Sequence, residues 1–167
     1  MNRARHEPIQ RTTAQGPVDG VFVVGMFASG VELLGGALAR LGLGGPHAEG
    51  APLAGLTASN DRLVEAASGS AEGPPDVTPT ELARQLAQFS DEARRQAGDL
   101  LPGGGAGAAP WVWADPRLSL LAPFWSEALG VNPAVILVHR DPYEVVAADL
   151  PEVATTERVV RWWDRSN

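Results

Sequence analysis

"VFVVGMFASGVELLGGALARLGL", Val21 to Leu43, changes character twice. Val21–Val24 is β-branched and aromatic with no polar alternation, the pattern of a strand buried on both faces. Gly25 and Gly30 then frame a short turn with G-x-x-x-x-G spacing. From about Gly30 the pattern turns helical. Leu33, Leu34, Ala37, Leu38 and Leu41 are expected on one face, and Gly42 stands where a C-terminal cap belongs. Strand, glycine-framed turn and helix together read as P-loop-like. Backbone amides in such a turn form a nest for an anion at the N-terminus of a helix. The lysine and hydroxyl that phosphoryl-transfer chemistry uses after the second glycine are Val31 and Glu32 here. A nucleoside-kinase-like enzyme is therefore disfavoured.

The 167 residues suit one domain of ordinary size, and a 44% hydrophobic fraction is too high for a disordered chain. There are no cysteines, which removes disulfides and thiolate metal sites and fits a reducing, cytoplasmic setting. Net charge is −7, so nucleic acid and anionic membranes are poor partners unless arginines cluster. All 13 basic residues are arginine, which closes any mechanism that needs a lysine. Glu32, Arg40 and the glycines of Val21–Leu43 argue against a membrane span. Residues 1–18 are polar and irregular and are expected to be a flexible arm, with one α/β domain over 19–167.

Further strands are expected at Trp111–Trp113 and Ala134–His139, the latter the clearest strand pattern in the chain. "SNDRLVEAA" reads as a short helix after the loop "GGPHAEGAPLAG". "TPTELARQLAQFSDEARRQAGDLL" opens with Thr78, Pro79 and Glu81, a capping box with proline at the first helical position, and Leu82, Leu86 and Phe89 give it an apolar stripe. "RLSLLAPFWSEALG" is a helix that stops at Gly130, with Pro123 a kink or an irregular turn. "DPYEVVAADL" begins another, with Asp141 as its cap. "TTERVVRWWDRSN" is a last amphipathic helix. Strands that alternate with helices imply a three-layer α/β fold with a small, mainly parallel sheet.

Four segments, in order, resemble the bacterial P-loop sulfotransferase family. "FVVGMFASGVELLGGALARLGL" is similar to the family's G-M-x-R-S-G-T-S loop, and "SNDRLVEAA" to its N-D-x-L-L helix. "WVWADPRLSLLAPFW" is similar to W-x-W-K-D-P-R-L, and "VILVHRDPYEVVAA" to the strand and R-D-P-x-x-V-x-x-S helix start. The resemblance covers most of Val21 to Asn167. It implies transfer of a sulfuryl group from 3′-phosphoadenosine 5′-phosphosulfate to a hydroxyl or amine of a small-molecule or glycan acceptor. It makes Gly25, Ser29, Gly30 and Arg140 cofactor-binding, with Arg140 on the 3′-phosphate, a task that suits a guanidinium. Asp115 and Arg117 become the catalytic candidates, the first as a general base near the acceptor, the second reaching the sulfate. The family continues past the last helix, so the chain reads as lacking its C-terminal segment.

The departures fall on polar positions. The loop arginine is Ala28, its threonine Val31, and the next hydroxyl residue Glu32. Ala114 replaces the lysine of K-D-P-R, and Ala148 the final serine. Nucleotide binding is therefore expected to be weak, and transfer weak or absent. The alternative is a noncatalytic scaffold or interaction domain that reuses the fold.

Ser29 and Glu32 fit S-x-x-E, so the helix is expected to cap itself, with Glu32 occupying the field a phosphosulfate would use; otherwise Glu32 points away or acts as a base. A carboxylate about 4 Å from a phosphate costs on the order of 4 kcal/mol at an effective dielectric near 20. Asp115 equally suits a cap on the helix that follows, and Arg117 a solvated side chain or a structural ion pair. His47 and His139 have no metal-ligand spacing, so no metal site is expected. Trp162 and Trp163 either dock on the domain, the favoured reading, or form an exposed patch that favours self-association.

Overall fold

The computed structural model describes residues 18–47, 53–68, 77–98, 110–141 and 144–145. The expected arm over 1–18, apart from Val18, the segment around Ala148 and the expected helix with Trp162 and Trp163 lie outside the described residues.

Three strands form one open parallel sheet: β1 (Gly20–Gly25), β2 (Trp111–Ala114) and β3 (Ala134–Val138), in the order β2-β1-β3. Parallel neighbours need crossovers, and the helices supply them. The fold class expected from the sequence is the one observed, an α/β domain with helices on both faces.

The register divides the side chains by face. Phe22 pairs with Trp113, and Val23 with Ala114. Val23, Val112 and Ala114 face α1 (Val31–Arg40) and bury Val31. Phe22, Val24, Trp111 and Trp113 face the larger core. That core is closed by α2 (Leu53–Ser68), α3 (Pro79–Leu86), α4 (Ser90–Gly98) and α5 (Leu118–Leu129). Its centre is aromatic. Trp113 and Trp125 meet edge-on with centroids 4.8 Å apart, and Phe124 lies 5.3 Å from Trp125. Such edge-to-face pairs add to the burial term.

β3 differs from a strand buried on both faces. It lies at the edge of the described sheet, with Val135, Ile136 and Leu137 exposed. An apolar run alone does not tell an edge strand from a central one.

α1 turns a different face to the sheet from the expected one. Leu34 and Leu38 pack inward, but Leu33 and Leu41 are 76% and 78% exposed. The contact is centred on Gly35, where an added Cβ would stand 2.4 Å from the Ala114 Cβ. The bare glycine lets this side of the helix approach, which swings Leu33 and Leu41 to solvent.

Helix ends follow the sequence more closely. Thr78 Oγ1 accepts from the Glu81 amide at 3.2 Å, so the expected cap is present. The Glu81 carboxylate pairs with Arg84 rather than reaching back. At Gly42 the Leu43 amide reaches Leu38 O and the Gly42 amide Ala39 O. At Gly130 the Val131 amide reaches Ser126 O and the Gly130 amide Glu127 O. Both are Schellman closures with a left-handed glycine, at φ 103° and 65°.

Other boundaries moved. α2 begins at Leu53, earlier than "SNDRLVEAA" indicates. The helix from Thr78 is interrupted by a 3-10 turn at Ala87–Phe89, which leaves Phe89 at the surface while Leu82 and Leu86 stay buried. α5 runs through Pro123 unbroken. No helix among the described residues is long and apolar enough to cross a membrane.

Candidate functional site

The carboxyl ends of parallel strands are where open α/β sheets bind ligands. The chain gathers Gly25, Ser29, Gly30, Asp115, Arg117 and Arg140 there, because each follows directly on a strand or lies in the turn after it.

The turn after β1 holds three positive-φ residues, Gly25 at 154°, Ala28 at 60° and Gly30 at 99°. Gly25 has a second reason to be glycine: a Cβ there would meet Val138 O at 2.4 Å and Ser29 Oγ at 3.0 Å. The expected self-cap by Ser29 is not formed. Gly30 occupies the N-cap position with no side-chain bond, and the Ser29 hydroxyl donates to Met26 O at 2.6 Å. Glu32 is exposed in the first turn. The left-handed Gly30 sets the helix entry, so the hydroxyl closes the preceding turn instead. The first bond of α1 is Leu34 N–H to Gly30 O. The amides of Val31, Glu32 and Leu33 thus precede the intrahelical ladder.

Arg140 reaches this turn from the far edge of the sheet. Its NH1 donates to Ala28 O at 2.9 Å, and its Nε pairs with Glu144 at 3.2 Å. Asp141 O accepts from the Val145 amide, so a helical turn follows the arginine.

The turn after β2 is organised by Asp115, 3% exposed. Its Oδ1 accepts from the Arg117 amide at 2.8 Å and from Arg117 NH1 at 3.2 Å; its Oδ2 accepts from Asn60 Nδ2 at 3.0 Å. The bond to the Arg117 amide closes the turn ahead of α5, whose own N-cap position is Arg117, without a side-chain bond, so Asp115 braces the turn rather than capping the helix itself. Arg117 is 17% exposed on its side chain, also pairs with Asp61, and stacks over Phe27 with 5.1 Å from Cζ to the ring centroid. Asn60, wholly buried, accepts from Trp125 Nε1 at 2.8 Å. The chain Trp125–Asn60–Asp115–Arg117–Asp61 thus ties α5, α2 and the β2 turn together.

The two turns are joined. Ser119 Oγ accepts from Gly25 N–H at 3.0 Å and donates to Gly25 O at 3.1 Å, and Phe27 lies under Arg117. The six candidates therefore line one edge, with Arg117 and Arg140 approaching the β1 turn from opposite sides.

Asn60, Asp61, Ser119 and Phe27 also belong to this strand-end network. The SNDR segment was the available signal for the first two. Ser119 and Phe27 carry none, because the register that brings them to the turn is not local.

Ala114 is the last residue of β2. Its side chain faces α1, buried against Gly35. A lysine there would point into that core, away from Asp115 and Arg117. His47 closes the same edge: its Nε2 lies 2.9 Å from Ala114 O and accepts from Ala114 N–H at 3.0 Å. Among the described residues no cluster of potential metal ligands occurs. Comparison with protein-family models, curated proteins and solved structures finds no match to this chain.

Proposed function

We propose that this chain is a sulfotransferase-like nucleotide binder that holds a 3′-phosphoadenylyl nucleotide weakly, with little transfer of its own. The observation that carries the reading is the Arg140 guanidinium on Ala28 O, 2.9 Å away, in the turn that leads into α1. An arginine held against a glycine-framed turn at a helix N-terminus is a suitable anion cradle. Glu144 competes for the same guanidinium and must release it, which weakens binding.

Transfer needs positive charge on the sulfuryl oxygens as the bond breaks, and loss of one such donor costs roughly 10²–10³ in rate. Arg117 is the nearest cation for the task on the β2 side, and it is held by Asp61 and Asp115. With no lysine in the chain and alanine at position 28, no other strong donor stands in those motif positions.

A second reading rests on the same ion pairs. Arg117 and Arg140 both spend bonds on carboxylates of this chain. That favours a noncatalytic interaction domain in which the polar network only fastens the fold. Thermal unfolding with added 3′,5′-adenosine bisphosphate separates the two. The nucleotide reading expects a concentration-dependent rise in Tm that Arg140→Ala removes. No rise in the wild type, at nucleotide concentrations up to millimolar, supports the interaction domain.

A further inference from the structure

On the other side of α2 from Asn60 and Asp61, a cavity of about 180 Å³ opens between α2, α4 and α5. Ser59, Arg62, Leu63 and Ala66 present to it at helical spacing from α2. Its remaining wall is mainly apolar, with Ala93 and the buried Trp125 behind and Phe89, 37% exposed, at the mouth. Apolar cavities near 150 Å³ hold a benzene-sized guest.

The polar groups stand together on one side. Gln96 accepts from Ser59 Oγ and donates to Glu92 at 2.6 Å. Glu92 is paired with Arg95, which offsets its charge. Arg62 differs. Its Nε donates to Ala58 O at 3.2 Å and its NH2 reaches Ser59 Oγ at 3.4 Å, both neutral oxygens. Among the described residues no carboxylate forms an ion pair with it. Among the described residues Arg62 is thus held only by neutral oxygens, a cation beside a mainly apolar cavity.

We propose that this cavity binds a small single-ring aromatic carboxylate, with the ring against Leu63, Phe89 and Trp125 and the carboxylate on Arg62. The volume limits the guest to one ring with a short substituent. Arg62 supplies the charge complement. The site is separate from the strand-end turn and does not depend on nucleotide binding there.

The test is a titration of the full chain with benzoate and, separately, with toluene, read by amide chemical shifts and tryptophan emission. Benzoate is expected to bind saturably, with shifts centred on Ser59, Leu63, Phe89 and Trp125. Arg62→Gln should weaken benzoate about tenfold or more and leave toluene unchanged. Ala66→Phe, at an exposed position, should block both while the circular dichroism stays that of the wild type. Absence of saturable benzoate shifts at these residues, or equal benzoate affinity in Arg62→Gln, would overturn the proposal. Arg140→Ala, which tests the nucleotide reading, should leave the benzoate titration unchanged.

Discussion

Asn60 and Asp115 are 55 positions apart in sequence, and the 3.0 Å bond between their side chains joins α2 to the turn that ends β2. Both are buried, and Asn60 holds Trp125 with its other polar atom. Replacing Asn60 by alanine would strand a carboxylate oxygen and an indole N–H at once. Leaving one buried group unsatisfied costs about 1–3 kcal/mol, and more when it is charged. Asn60→Ala is therefore expected to lower stability by roughly 3–5 kcal/mol in urea unfolding. A loss below about 1 kcal/mol would mean the network contributes little.

The two central tryptophans offer a controlled comparison. Both are fully buried, and their rings are in contact. Trp125 donates to Asn60, whereas Trp113 Nε1 has no hydrogen-bond partner among the described residues. Trp125→Phe removes ring volume and a buried hydrogen bond; Trp113→Phe removes ring volume and an unsatisfied donor. Trp125→Phe should be the more destabilising by about 1–3 kcal/mol. Equal losses of stability in the two variants would contradict this.

The entries of α1 and α3 make a second pair. Thr78 caps α3 with its side chain, but neither Ser29 nor Glu32 caps α1. Thr78→Ala should cost about 1 kcal/mol. Glu32→Ala should leave the melting temperature nearly unchanged, its exposed carboxylate giving only a weak dipole term. A drop as large as that of Thr78→Ala would restore the self-capping reading.

Ala114 tests what the alanine in the W-x-W-A-D-P-R stretch means. Its Cβ faces Gly35 in a tight, buried contact. Ala114→Lys should be strongly destabilising, since it combines overpacking of about 1–3 kcal/mol with burial of an unpaired charge. It should not raise nucleotide affinity. A stable Ala114→Lys variant with tighter binding would place that side chain at the strand-end site.

The strands and the glycine stops were readable because their signals are local. Val21–Val24 and Trp111–Trp113 are dense apolar runs, Gly42 and Gly130 end their helices by αL closures, and Thr78–Pro79–Glu81 starts one. What was not readable depends on the partner. Leu33 and Leu41 look like core until Gly35 proves to be the point of closest approach. The S-x-x-E spelling of Ser29 and Glu32 gave no warning that a left-handed Gly30 would take the cap position. The break at Ala87–Phe89 carries no glycine or proline to announce it. At the site, the strand-end positions of Asp115, Arg117 and Arg140 follow from the strands. The bonds that occupy Asp115 and Arg117 come from α2, which pattern alone does not orient.

The most direct test is calorimetric titration of the chain with 3′,5′-adenosine bisphosphate, compared with Arg140→Ala. One site of affinity weaker than about 1 µM is expected in the wild type. Arg140→Ala should lose a further factor of roughly ten to a hundred, the worth of one charge-assisted hydrogen bond. Binding that is absent in the wild type, or unchanged by Arg140→Ala, would contradict the nucleotide reading.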